Sequence, residues 1–393
     1  MKKRIGVFLC FIMLFWIAGC TGDTDKPSKR EKLDNGIYTS YGAMGIESPT
    51  GFYHVDSEGF LYFFDYGVKQ DAIVCTKPNC KHESWDENTL DEEKCAAYIK
   101  TNLGGVTGFV WDEKLYLFQR DDENIEEPGN FLIESELNRG EQKKIAKVPG
   151  MVIYSFAVKD GKVYVTGNKA ELKKENGVTT QSSMTVSDLY EIELDSGEIR
   201  PLLQEQKHYN GSFEILGADS QKLYLIYSWF EKEFDGTNYE ETNRQVHYYE
   251  YDLKTGEYKE TFMNLDGWQV DKISVYGDRI FVVLSPQGQR GTEENLSYAA
   301  AEYKDGVFEK IADCQEFPRM FSDCVIYKEK GGEDFQYFWF EDRKPKKLKV
   351  KNLDEYYLMD AGGWFYVEQN SDMSYEMVKK EDFFEGKDGV KIH

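Results

Sequence analysis

The sequence is short of several things, and each shortage removes a class of protein. Five histidines in 393 residues leave little for chemistry built on histidine-rich metal clusters. Proline is scarce at 9 residues, so strands are rarely interrupted, and the company of 27 Tyr and 25 Phe favours extended structure. Lys plus Arg number 48 against 71 Asp plus Glu, and the resulting charge of −23 excludes nucleic acid as a partner, because its phosphates are repelled. The chain has no G-x-S-x-G elbow, no H-E-x-x-H, no phosphate-binding loop and no dinucleotide-binding glycine pattern. Beyond the first twenty residues no apolar run reaches the length of a membrane-spanning helix. Disorder is excluded too, since 40% hydrophobic and 15% aromatic residues can build a large core.

What is present begins at the N-terminus. Met1-Lys2-Lys3-Arg4 precede an apolar run from Ile5 to Ile17, and Ala18-Gly19-Cys20 follow. A cationic start, a short apolar stretch and small residues before a cut describe a secretory signal peptide over residues 1–19. The Ile17-Ala18-Gly19-Cys20 ending resembles a bacterial lipobox, in which the cysteine thiol receives diacylglycerol and becomes the first residue of the mature chain. Two acyl chains hold firmly where one does not. Residues 20–35 are expected to be the lipidated Cys20 and a flexible tether, and the protein is expected outside the cytoplasmic membrane as a palmitate-type lipoprotein. Losing residues 1–19 removes three basic groups and no acidic one, and so strong a negative charge favours a monomer.

Residues 36–393 carry an internal repeat. A turn followed by alternating aromatic and β-branched residues appears as Gly59-Phe60-Leu61-Tyr62 and as Glu113-Lys114-Leu115-Tyr116. It returns at Gly161-Lys162-Val163-Tyr164, Lys222-Leu223-Tyr224, Asp278-Arg279-Ile280-Phe281, Val325-Ile326-Tyr327 and Gly363-Trp364-Phe365-Tyr366. A second motif, a strand, a glycine turn and a strand, recurs around Gly140, Gly197, Gly256 and Gly306. Asn, Asp and Gly at such places supply the left-handed backbone of tight hairpins. Each unit of roughly fifty residues reads as four short strands that cannot bury their faces alone. Packing the units radially solves both burial and exposed edges, so the expected fold is an all-β propeller of seven four-stranded blades, with six or eight as alternatives.

Connections in a propeller alternate between its two ends. Long ones are expected at Arg120–Asn130, Gly167–Ser187, Glu231–Gln245 and Ser285–Ser297, all at one end, where binding usually resides. Trp229, Phe230, Tyr239 and Trp268 are expected near that end as ligand-binding residues.

The first unit differs from the rest. In place of a short turn between its third and fourth strands it carries Cys75-Thr76-Lys77-Pro78-Asn79-Cys80-Lys81-His82 and then Cys95-Ala96-Ala97-Tyr98. Cys75, Cys80, His82 and Cys95 form a Cys3His set that suits tetrahedral zinc. A disulfide with one thiol left over is the rival, favoured by export, and a reactive thiol is a third reading. Cys314 and Cys324 are expected to pair with each other. The cysteine segment resembles a pattern shared by uncharacterised lipoproteins of clostridial bacteria, which also have a lipobox and propeller-like repeats. That resemblance implies the cell surface of a Gram-positive bacterium and implies no activity.

Two functions of different kinds remain. One is a non-enzymatic binding or scaffold propeller that uses its long-loop face for a protein, peptide or glycan. The other is a surface carbohydrate-active or peptide-hydrolysing enzyme with its site at the mouth of the central pore, where two or more titratable groups would cluster.

Overall fold

The computed structural model describes residues 37–41, 45–85, 89–90, 93–99, 106–121, 127–150, 153, 155–175, 178–203, 206–231, 244–262, 265, 267–287, 297–350, 352–369 and 374–393, without the side chains of 37–41, 172–175 and 178–181. The expected leader, Cys20, the tether and Tyr239 lie outside the described residues.

The fold is a β-propeller. One strand, β1 (Ile37–Tyr41), precedes seven consecutive meanders of four antiparallel strands. Sheet 1 holds β2 (Ile46–Ser48), β3 (Gly51–Val55), β4 (Leu61–Asp65) and β5 (Gln70–Ile73). Sheet 2 holds β6 (Thr107–Trp111), β7 (Lys114–Arg120), β8 (Gly129–Glu136) and β9 (Gln142–Pro149). Sheet 3 holds β10 (Ser155–Lys159), β11 (Lys162–Glu175), β12 (Val178–Glu193) and β13 (Ile199–Pro201). Sheet 4 holds β14 (Gln206–Ala218), β15 (Lys222–Phe230), β16 (Arg244–Asp252) and β17 (Tyr258–Thr261). Sheet 5 holds β18 (Trp268–Tyr276), β19 (Arg279–Pro286), β20 (Tyr298–Lys304) and β21 (Val307–Cys314). Sheet 6 holds β22 (Arg319–Met320), β23 (Cys324–Lys328), β24 (Phe335–Trp339) and β25 (Lys346–Lys347). Sheet 7 holds β26 (Tyr356–Ala361), β27 (Trp364–Gln369), β28 (Ser374–Lys379) and β29 (Val390–Ile392), with the short helix α1 (Lys380–Phe384) between the last two.

Alternation along each strand sends successive side chains to opposite faces, so every sheet has two apolar faces to cover. In sheet 3, Phe156 and Val158 pack on sheet 2 while Ala157 between them packs on sheet 4. The same arrangement repeats at each junction and closes the ring, with Phe52 and Phe64 of sheet 1 against Trp364 and Tyr366 of sheet 7. That closing seam is made by side chains, helped by the Tyr66 hydroxyl donating to the Ala361 carbonyl at 2.9 Å. Sheets 3 and 4 are joined differently, by backbone pairing of β12 with β14 from Met184↔Tyr209 to Ser187↔Gln206, which makes one nine-stranded sheet with β1. Sheets 6 and 7 share a buried ion cluster: Lys380, fully buried, reaches Asp323 at 2.5 Å and Asp360 at 2.8 Å.

Last strands such as β5, β17 and β25 are largely exposed and lie outermost; first strands lie innermost and meet those of neighbouring sheets, as β2 meets β6 and β14 meets β18. The turns joining first to second and third to fourth strands share one end of the ring, here the turn end. The remaining connections share the other, the loop end. Tight turns at the turn end take the left-handed backbone expected of them, as at Asp160-Gly161 (φ 51° and 74°) and Asp305-Gly306 (φ 51° and 85°).

Four sequence expectations need correction. In sheet 1 the repeat motif around Gly59 lies between the second and third strands, because the three-residue β2 precedes it. The cysteine segment therefore follows the fourth strand and connects sheets 1 and 2 instead of forming a third-to-fourth turn. The segment Gly167–Ser187 is no loop: β11 and β12 pair out to Glu175↔Val178, carrying the hairpin well past the blade.

The fourth correction concerns Cys314 and Cys324, which are both free. Cys314 packs between sheets 5 and 6 and Cys324 between sheets 6 and 7, so the sixth sheet stands between them. Cys314 lies opposite Glu329, five residues along the chain from Cys324, or ~16 Å of extended strand. A disulfide needs Cα atoms about 5.5 Å apart.

Candidate metal centre and binding face

The connection after β5 has few apolar residues and is fixed by a handful of backbone contacts. The Leu61 N–H donates to the Ala97 carbonyl and the Ile99 N–H to the Gly59 carbonyl, both at 2.8 Å, so residues 97–99 lie along the β3–β4 turn. Gly59 has φ 91°, and a Cβ there would come within 3.1 Å of the Ile99 carbonyl oxygen, so this close approach needs glycine. The Trp85 indole donates to the Cys95 carbonyl at 3.1 Å, and Arg139 from the β8–β9 turn donates to the Ala96 carbonyl at 3.2 Å. The connection thereby clasps sheet 1 to sheet 2.

Within it, Cys75, Cys80, His82 and Cys95 converge, with their ligand atoms all within 4.8 Å of one another. Cys95 Sγ is 3.9 Å from Cys75 Sγ and 3.6 Å from His82 Nδ1. Zinc bonds of ~2.3 Å to sulfur and ~2.0 Å to nitrogen set tetrahedral edges of about 3.8 and 3.5 Å, which these distances match. A bonded sulfur pair would be near 2.05 Å, and all three thiols are free. Cys95 is buried and His82 exposed, so the cluster closes on the protein side and opens to solvent on the other. Burial pushes the Cys95 thiol up to about 12. Burial also raises Cys75, but hydrogen bonds from the Lys77 backbone and the Cys80 side chain outweigh it and bring that thiol below its ordinary value. The four residues could hold a metal ion such as zinc.

From the loop end of sheet 4 a ladder of rings crosses four strands toward the turn end. His208 of β14 stacks on Trp229 of β15 with centroids 4.7 Å apart, and Trp229 stacks on His247 of β16 at 4.9 Å. His247 and Tyr249 continue it at 6.3 Å, and Tyr249 meets Tyr258 of β17 at 4.4 Å. His208 Nδ1 lies 2.9 Å from the Tyr227 hydroxyl, and burial lowers the His208 pKa. His247 Nδ1 is 2.7 Å from Glu260 Oε1.

Beside the ladder, between sheets 4 and 5, a half-open pocket of about 230 Å³ is lined by His247, Glu260, Thr261, Trp268, Gln269 and Gln287, with Tyr248, Phe262 and Leu265 as its apolar wall. Tyr248 holds the two sheets together there: its hydroxyl donates to the Val270 carbonyl at 2.9 Å and accepts from the Val270 N–H at 2.8 Å.

Of the expected aromatics, Trp229 stands in the ladder and Trp268 lines the pocket, and His247 borders both. Phe230 follows Trp229 along β15 and so faces the other side of the sheet. His208, His247, Glu260 and the two glutamines were not marked by the sequence, since only strand register brings them together.

The central channel does not stand open at sheet 3. β1 pairs with β10 on the edge away from β11 and lies against β14 as well, so it occupies the inside of the ring.

No protein-family model and no curated protein matches the chain. Among solved structures it is similar to an oligogalacturonate lyase in complex with manganese, at 10% identity over 90% of this chain and 88% of that one, TM-score 0.45. It is also similar to the oligogalacturonate lyase of Vibrio parahaemolyticus, at 9% identity over 87% and 90%, TM-score 0.46. A third likeness is to the acylaminoacyl peptidase of Pyrococcus horikoshii, at 12% identity over 84% and 51%, TM-score 0.44.

Proposed function

We propose that this chain is a lipid-anchored, non-enzymatic binding propeller of a bacterial cell surface. It would engage a protein, peptide or glycan through the loop end of sheets 4 and 5, and Cys75, Cys80, His82 and Cys95 would hold a structural zinc ion. The ladder is the observation that carries the binding reading. Five rings fixed in a stack offer apolar contact at little entropic cost, and the adjoining pocket adds a carboxylate, two amides and a hydroxyl for orientation. The strand inside the ring argues against the alternative of an enzyme at the pore mouth, because it takes up room a substrate would need there. The anchor reading rests on the Ile17-Ala18-Gly19-Cys20 lipobox. A zinc ion with four protein ligands has no open position for a substrate, so its role would be to staple sheets 1 and 2.

Peptide and glycan arrays probed with the native chain and with Trp229→Ala and Trp268→Ala variants test the binding reading. Retained melting temperature with at least tenfold weaker capture is the expected result. Unchanged capture, or turnover of the captured molecule, overturns it. Elemental analysis of the native chain should give one zinc per molecule; none, with the three thiols oxidised, overturns the staple.

A further inference from the structure

The register of β1 fixes a direction through the ring. Ile37 pairs with Lys159 and Tyr41 with Ser155. Lys159 is the last residue of β10 before the Asp160-Gly161 turn, so Ile37 sits at the turn end, and Ser155 begins β10 at the loop end. The chain therefore enters the ring at the turn end, runs along the inside of sheets 3 and 4, and leaves at the loop end. From Tyr41 only a few residues separate it from β2, which starts at the loop end as a first strand does.

We infer that the chain is threaded, so that whatever holds its N-terminus meets the turn face, and the loop end with its ladder and pocket is presented on the far side. The threading rests on the β1–β10 register and on the contact of β1 with β14; that the holder is a lipid bilayer rests on the anchored reading above. Seventeen residues lead from Cys20 to Ile37, and a random coil of that length spans about 23 Å. To lay the loop end on the bilayer, that length would have to travel from the turn-end mouth around the rim of the ring. The turn face of this propeller is then the surface that lies against lipid headgroups, and the long-strand end is free for a partner in solution or on another surface.

The test uses the chain from Cys20 to His393, which keeps every described residue, joined at residue 20 to a synthetic diacyl lipid and reconstituted in phosphatidylcholine vesicles bearing a headgroup quencher. A fluorophore is placed at Lys304→Cys, exposed at the turn end, or at Gln287→Cys, exposed at the loop end. Threading predicts at least threefold stronger quenching of the Lys304→Cys label. Equal quenching, or stronger quenching at Gln287→Cys, overturns it. A separate arm floats the native full chain and its Cys20→Ser variant with vesicles. If both stay in solution, the lipid reading fails while the quenching arm still decides the orientation.

Discussion

Replacing Lys380 by methionine should destabilise the ring by about 3–5 kcal/mol. The Lys380 ammonium is fully buried between Asp323 and Asp360, at 2.5 and 2.8 Å, with the faces of Phe365 and Phe321 at 5.3 and 5.9 Å. At an effective dielectric constant of ~20 each pair is worth ~6 kcal/mol of attraction, offset by several kcal/mol for stripping water from each ion. Methionine keeps the length and apolar stem but leaves two carboxylates side by side, half-buried, without the cation between them. Removing one partner of such a buried set is what costs the full 3–5 kcal/mol. Lys272 repairs little of this: burial lowers its own pKa, and Asp360 only partly restores it. Urea unfolding followed by tryptophan fluorescence measures the effect. The triple variant Lys380→Met, Asp323→Asn, Asp360→Asn is the control, since it removes all three charges and should recover most of the loss. A Lys380→Met chain within 1 kcal/mol of the native one, or a triple variant no better than the single, would refute the reasoning.

Acid stability should depend on His54, which is wholly buried and lacks hydrogen-bond partners at both ring nitrogens. Burial lowers its pKa to about 4, from an ordinary value of 6.5. The unfolded chain then binds the extra proton first, so stability is complete above pH ~6.5 and falls by ~3 kcal/mol as the pH drops to about 4. Denaturant midpoints of His54→Leu measured across that range should slope less than those of the native chain. Tyr248→Phe leaves both backbone groups of Val270 without their partner and should cost ~1–3 kcal/mol by the same assay. Cys95→Ser should abolish zinc retention and lower the melting temperature by a few degrees, with no change when chelator is added to the variant.

The propeller was legible in the sequence because its repeat is written in local terms: a left-handed turn such as Asp160-Gly161 and the alternating strand after it need no distant partner. The first strand of sheet 1 was not, because Ile46-Glu47-Ser48 is too short to show a period. The hairpin of β11 and β12 does carry a sequence signal, the Asn176-Gly177 pair between two runs rich in strand formers. The Cys3His set was visible from residue types, while its convergence depends on a connection folding back over Gly59. The ladder was invisible in principle. Trp229 reaches His208 and His247 only through the register of three strands, and nothing in a single sequence states how far β14 and β16 slide along β15.

The seven joints of the ring are unequal, and the inequality bears on mechanical load. Sheets 3 and 4 are welded by backbone hydrogen bonds, whereas the seam between sheets 7 and 1, three joints away, is held by packed rings. A pull on the N-terminus is delivered through β1 to β10, along the strand axes, so the row of hydrogen bonds is sheared together instead of being unzipped one at a time. Tension from an attached N-terminus therefore enters the propeller at its stiffest pair of blades, and the seam, which would part first, is left out of the line of force.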